Sequence, residues 1–591
     1  MAKKSMIKLV GLLALLGVLL AGGFYISAQN HSSMTTTKNE NLDKNGPLNQ
    51  KHQVALGVKN EGRFYGTLTP FAKEAVYFLM TDRFVNGDPK NDYPQQGGKH
   101  PSYRLALISD KGETAYVGYM GGDFKGILSQ AKYIKNMGFT SIWLTPIVDQ
   151  PDEAFSGGEK IEYGGAFKDG GKTGYHGYWG SNFFKVDEHL PSSGLSFKQL
   201  TQKLRHEYDI KTVLDIVLNH GSPAYSMKPK QQPKFGQVFD QNNKLVADQQ
   251  NLPPQKLDAQ NPLHKMYSHK PDIMQLSDFD PDSPLVLDYF VKAYSQWIDQ
   301  GTDAFRIDTI KHMPHAFWKK FTQRIRQNHP GFFMFAESYS FDADFIAQHT
   351  LKKNEAVSVL DFPGRNAMLE VFEDKSSDYH QILKYLHLTY GPYQNPYDLM
   401  TFYDNHDMRR FNSDANGYID LHNWLFTSRG IPVVYYGSEM AFMSGKKEHA
   451  GNRNYFGIEN IKRAKQSPIY QSLAQIANIR KNSIALQQGL QANIFFKKDL
   501  AYFYRVYQNQ DKNQTALVLL NKGNTEQKIS MGEYLAQGSW VNQINQSVLT
   551  VTDKLPIELT LKAHSVEVYL LNEKNNNPKL IEKLKNLMLH K

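Results

Sequence analysis

Gly301-Thr302-Asp303-Ala304-Phe305-Arg306-Ile307-Asp308-Thr309-Ile310-Lys311-His312 is the stretch whose reading decides the fold. It reads as a buried strand that ends in polar residues. Ala304, Phe305 and Ile307 are small or apolar. Arg306 and Asp308 alternate with Ile307, so both point to one side of an extended segment. An Arg two residues from an Asp on one face favours the ionised carboxylate. Taken alone, such a pair is a structural ion pair, because buried charges are normally partnered. The rest of the chain changes that reading by repeating the pattern at other strand ends.

Apolar runs of strand length recur near residues 76, 142, 213, 305, 333, 358, 402 and 433, with helical patterns between several of them. Helices are expected at Ile127–Met137, Phe197–Tyr208, Leu285–Asp299 and Ala316–Asn328. Eight alternating units predict a (β/α)8 barrel. A doubly wound sheet is the alternative, but no Gly-rich phosphate loop follows the first strand. Residues 221–285 are rich in Gln, Pro, Asp and Lys and too long for a simple loop, so they are expected to form an inserted domain after the third strand. Beyond about residue 475, short alternating runs such as Ala501–Tyr507, Thr515–Leu520 and Ser565–Leu571 predict an antiparallel β domain. The expected plan is 63–220 and 286–474 for the barrel, 221–285 for the insertion, 475–572 for the β domain and 573–591 for a polar tail. A weak amphipathic pattern runs through Leu580–Leu589 of that tail.

With 591 residues, one core of ordinary size does not suffice. The net charge of +10 is scattered and no nucleic-acid motif accompanies it, so nucleic acid is not an expected partner. The chain has no cysteine, which excludes disulfides, thiolate metal sites, a Cys nucleophile and a lipidated Cys anchor. Lys3, Lys4 and Lys8 precede an apolar run from Leu9 to Ile26 and then Ser27-Ala28-Gln29. That pattern in residues 1–28 describes an export signal, with an uncleaved membrane anchor as the alternative. The bulk of the chain is therefore expected to be extracellular or periplasmic, and monomeric. Residues 29–62 read as a flexible linker.

Barrels of this kind place their active sites at the C-terminal strand ends. The polar residues there are Asp215, Asn219 and His220, then Arg306 and Asp308, then Glu337, then His406 and Asp407. Several carboxylates on one face, with no Ser–His or Cys candidate, point to glycosidic bond chemistry, which needs one carboxylate and one carboxylic acid. Arg306 keeps Asp308 ionised. Glu337 follows an apolar run with no adjacent cation, so desolvation is expected to raise its pKa and suit it to proton transfer. Tyr175-His176-Gly177-Tyr178-Trp179 places aromatics in a Gly-permitted turn that suits stacking on a ring. Asn86 to Asp92 is dense in oxygen side chains, which suits a hard cation.

These motifs resemble the α-amylase family of retaining glycoside hydrolases (family 13). Asp215-x-x-x-Asn219-His220, Gly301–His312, Glu337 and Phe402-x-x-Asn405-His406-Asp407 match its four signatures in family order. The resemblance implies Asp308 as nucleophile, Glu337 as acid/base and Asp407 as transition-state stabiliser. It implies Arg306, His220 and His406 as substrate and charge partners, with Tyr178, His176 and Trp179 beside the bond being cut. Lys311, Tyr339 and Arg453 join the substrate contacts. Residues 221–285 correspond to domain B and the β region to domain C. Two calcium sites are also implied: Asn219, Asp278 and the His312 carbonyl at one, and Asn86, Asp88, Asn91, Asp92, Gly121 and Asp123 at the other. Ala336 stands where many members have Gly, and Asn452-Arg453 matches the family clamp only in part.

The function implied is exported hydrolysis of internal α-1,4 bonds in starch, glycogen or maltodextrin, with retention. Asn219–Pro223, Lys311–Pro314 and Asn405–Met408 look close to cyclodextrin glucanotransferases, so glucan transfer is the alternative. The domains those enzymes carry after domain C find no counterpart, which is expected to favour hydrolysis. A non-catalytic glucan-binding protein is a third reading, opposed by intact Asp308, Glu337 and Asp407.

Overall fold

The computed structural model describes residues 62–97, 101–112, 114–155, 160–161, 163, 173–225, 235–447 and 451–588. The export segment of 1–28 and all of the 29–62 linker except Gly62 lie outside the described residues.

Eight parallel strands form the barrel: β1 (Val76–Leu79), β2 (Ser141–Leu144), β3 (Lys211–Ile216), β4 (Ala304–Ile307), β5 (Phe333–Ala336), β6 (Ser358–Val359), β7 (Met400–Thr401) and β8 (Ile431–Tyr435). They pair in chain order from β1 to β6, and β1 pairs with β8, which pairs with β7. A parallel bridge from Leu360 to Met400 closes the ring. All eight strands fall where the apolar runs place them. Strands β6 and β7 are shorter than their runs; directly after β6, Asp361 already caps the helix Phe362–Phe372.

The helices follow the expected periodicity, with local chemistry setting their ends. Phe197–Tyr208 starts in a capping box between Ser196 and Gln199 and ends at Asp209 in the left-handed region. Pro284–Asp299 carries its Pro in the first turn, where no N–H is needed. The helix expected over Ile127–Met137 is two, Phe124–Ser129 and Ala131–Asn136, interrupted at Gln130.

An aromatic layer fills the barrel beneath its C-terminal mouth. Phe78 stacks on Trp143 at 3.9 Å between ring centroids, and Trp143 meets Phe335 edge-on at 5.3 Å. Burying each such ring stabilises the fold by roughly 1.5–3 kcal/mol, and this rigid floor carries the charged residues above it.

The segment between β3 and helix Pro284–Asp299 holds short antiparallel pairs, His220–Pro223 with Leu276–Asp278 and Gln237–Phe239 with Leu245–Asp248. It packs on the long connection after β2, where Asn182 Nδ2 donates to the Asp240 carbonyl and to Asn243. At the C-terminus a six-stranded sheet runs antiparallel throughout, with a separate two-stranded pair. Buried Arg505 from this sheet donates to the Thr427 and Ser428 carbonyls at the end of helix Ala415–Thr427, which ties sheet to barrel. The stretch expected as a polar tail contains a helix, Pro578–Leu587, that buries Leu580, Leu584 and Leu587. Among the described residues no helix is long and apolar enough to cross a membrane.

Candidate active site

Strand register brings Arg306 level with Asp215 on β3 and Phe335 on β5. The buried Arg306 guanidinium then touches three carboxylates. Nη1 donates to Asp215 Oδ1 at 2.8 Å and to Asp308 Oδ1 at 2.6 Å, and Nη2 lies 3.0 Å from Glu337 Oε2. The Arg306–Asp308 pair expected from alternation is present. The expectation that Glu337 has no adjacent cation is wrong: β4 supplies one across the sheet, a neighbour invisible along the chain. Thr309, directly after Asp308, adopts φ +48, a left-handed strain held in place by the surrounding bonds.

The carboxyl groups differ in environment. Burial pushes Glu337 well above the ordinary carboxylate range; Arg306 opposes this, and Asp308, Asp407 and Asp215 add to it. Burial likewise pushes Asp215 up to about 7 against the pull of Arg306. Asp407 goes the other way. Burial would raise it, but His406, Arg453 and Arg306 together outweigh that and hold it below the ordinary range. The buried His220 ring is held toward its neutral form by desolvation.

Asp215, one of the strand-end residues, acts as an anchor for its neighbours. It accepts from Trp143 Nε1 at 3.1 Å and from Tyr178 Oη at 2.8 Å as well as from Arg306. Tyr178 also stacks on His406, with centroids 5.2 Å apart and planes 5° from parallel. Gly177 makes this turn possible: its φ is +89, and a Cβ there would sit 2.3 Å from the Pro146 carbonyl oxygen. His176 Nδ1 accepts from the Tyr178 N–H at 3.0 Å. Trp179 packs edge-on against His176 and against Phe155 and Phe235. Arg453 belongs to the site: Nη2 meets Asp407 Oδ1 at 2.6 Å and Nε donates to the His406 carbonyl. Lys311 lies on the rim, donating to the Tyr339 carbonyl at 2.9 Å, with Tyr339 39% exposed.

The two oxygen clusters also assemble. Asp278 is buried, and its Oδ1 has no hydrogen-bond partner. Burial pushes this carboxyl up to about 7 despite the Asp272 N–H, and the negative charge of Asp272 adds to the rise. Asp272, which sequence reasoning missed, bridges the group: Oδ2 accepts from Asn219 Nδ2 at 3.4 Å and lies 3.0 Å from His312 Nδ1. Its only sequence signal is that it lies six residues before Asp278. An orphaned buried carboxylate oxygen beside a second carboxylate fits a hard cation. In the other cluster, Asn86 Oδ1 and Asn91 Oδ1 are buried without partners, and Asn86 Nδ2 donates to Asp92 Oδ1 at 2.7 Å. Gly121 has φ +91, and a Cβ there would lie 2.4–2.5 Å from Asn86 and Asp92. Asp123 differs, since both its oxygens accept backbone N–H groups from Gly87, Asp88 and Gly126. Asp88 stands 3.8 Å from Lys125.

An Arg-centred carboxylate cluster at the mouth of a (β/α)8 barrel defines a class of enzymes that work through paired acids. Residues 78–472 match the family model described as alpha amylase, catalytic domain, and the chain belongs to that family. Among curated relatives, the cyclomaltodextrin glucanotransferase of Bacillus sp. (strain 1-1) is 27% identical over 86% of this chain and 69% of its own length. The beta/alpha-amylase of Paenibacillus polymyxa is 29% identical over 85% of this chain, which spans only 38% of that relative. Among solved structures, an Anoxybacillus alpha-amylase aligns with a TM-score of 0.64 at 26% identity, covering 86% of this chain and 99% of that one. A cyclomaltodextrin glucanotransferase with a three-domain ABC distribution aligns at 0.67 and 27%, covering 85% and 99%.

Proposed function

We propose that this enzyme is exported and cleaves internal α-1,4-glucosidic bonds of starch, glycogen or maltodextrins with retention of configuration. The observation that carries the reading is the single Arg306 guanidinium held between Asp308 and Glu337. One fork bonded to both acids brings a nucleophile candidate and a proton-donor candidate to the same place, the pair of roles that retaining cleavage uses. An Asp308 carboxylate oxygen attacks the anomeric carbon while protonated Glu337 gives its proton to the leaving glycosidic oxygen. Glu337 then takes a proton from water, whose oxygen displaces Asp308 from the anomeric carbon. Asp407, held ionised by His406 and Arg453, offsets the positive charge that develops on the ring. Tyr178 supplies a flat face for the sugar at the bond being cut.

Calcium would be held by Asn219, Asp272, Asp278 and the His312 carbonyl, and at the second cluster by Asn86, Asp88, Asn91, Asp92, Gly121 and Asp123, and would act there as a structural cation. Export rests on the basic, apolar and small-residue pattern of 1–28.

Glucan transfer is the second reading, favoured by the likeness to cyclomaltodextrin glucanotransferases. One such enzyme has a three-domain ABC distribution, so that activity does not depend on domains after domain C. Chromatography of amylose digests separates the two. Linear short oligosaccharides released first as the α-anomer are expected; cyclic products would replace the hydrolase by the transferase, and β-anomers would overturn retention.

A further inference from the structure

Apart from the carboxylates that Arg306 holds, three metal-ligating side chains meet on the barrel wall. His315 opens the helix His315–Asn328, His349 lies in the turn Gln348–Thr350, and Glu355 sits in the loop before β6. The Glu355 side chain is fully buried, as is nearly all of His349, while His315 is half-exposed. His315 Nδ1 lies 3.0 Å from each Glu355 oxygen, and His349 Nδ1 contacts Oε1. The ligand atoms all lie within 4.8 Å of one another.

We propose that His315, His349 and Glu355 bind a divalent transition-metal ion of the zinc class. Two imidazole nitrogens and one carboxylate oxygen are a three-ligand zinc set that leaves a fourth position for water. Metal–ligand bonds of about 2.1 Å in a tetrahedron put ligand atoms about 3.4 Å apart, and the ligand atoms here, all within 4.8 Å of one another, would move to that spacing around an ion. The exposed edge of His315 supplies an entry path. A buried carboxylate is costly without compensation, and the nearby Arg326 donates to the Glu355 and Ala356 carbonyls. A dication held here would compensate the Glu355 carboxylate. Imidazole ligands select zinc over calcium, which prefers oxygen. The site would brace the wall next to the nucleophile, because Trp318, on the same helix as His315, donates to the Ile310 carbonyl at 2.7 Å.

The test strips the full chain with a chelator, restores calcium in excess, and titrates zinc against a chromophoric competitor. The expected result is one zinc per chain that calcium does not displace, with a rise in Tm. In His315→Ala the affinity falls by about a hundredfold or more and the Tm response disappears. Because His315 is half-exposed, this variant keeps its fold, which its zinc-free melting curve verifies. Glu355→Gln repeats the loss. No stoichiometric zinc in the wild-type protein, or equal zinc in wild type and His315→Ala, would overturn the site and leave a hydrogen-bonded triad.

Discussion

Tyr178 has two separable jobs, and Tyr178→Phe removes only one of them. The hydroxyl donates to Asp215 Oδ2 at 2.8 Å in a buried setting. A hydrogen bond to a charged group contributes roughly 1.5–3 kcal/mol. Trp143 stays on that same oxygen and Arg306 on the other, so the lower end applies, about 1.5–2 kcal/mol. The bond also lowers the Asp215 pKa, which burial has raised to about 7. Without the hydroxyl it rises further. A folded-state carboxyl raised above its unfolded value loses stability as pH rises through the folded pKa. The deficit of the variant should therefore be small below about pH 6 and reach its full size above about pH 8. The ring still stacks on His406, so sugar contact survives and kcat/KM falls by about tenfold, through altered charge balance at Arg306. Tyr178→Leu removes the ring as well and costs a further ~0.5–1.5 kcal/mol plus most of the activity. Denaturant melts at pH 5.5 and 8.5, with kcat/KM on a short maltooligosaccharide, measure both. A Tyr178→Phe deficit independent of pH, or equal activity loss in both variants, would refute the division of labour.

Glu337→Gln keeps a polar contact to Arg306 but removes the transferable proton; kcat should fall by about 10²–10⁴. If Glu337 is the proton donor, wild-type activity should fall as pH rises through its raised pKa, and that alkaline limb should be missing from the residual activity of the variant. Chelation should lower Tm by a few degrees, with calcium restoring it, because ligand held by the folded state alone stabilises it; in Asp278→Asn the response should shrink, and an unchanged response would count against that site. Asp398, raised to about 6 by burial although Thr67 and Thr69 donate to it, contributes stability present below about pH 4 and lost as pH rises through 6. The loss is at most about 3 kcal/mol and less in practice, because the residue is only partly buried. Asp398→Asn should flatten that slope in urea melts.

The sequence alone determined the barrel, because strands buried on both faces must be continuous apolar runs, and eight of them separated by helical periods admit few other packings. It also showed Arg306 beside Asp308, since alternation along one strand is a local property. Contacts between strands are not local, and only the tertiary structure decided them. Register placed the Arg306 fork on Asp215 and Glu337, which reversed the expected isolation of Glu337 while leaving its pKa raised by burial. Folding likewise brought Arg453 onto Asp407, Asp272 into the Asn219–Asp278 group and His315 onto Glu355. These pairs are separated by up to 53 residues in the chain, and no periodicity records them. The opening stretch therefore located the candidate site, and the neighbouring strands decided which partners each acid meets.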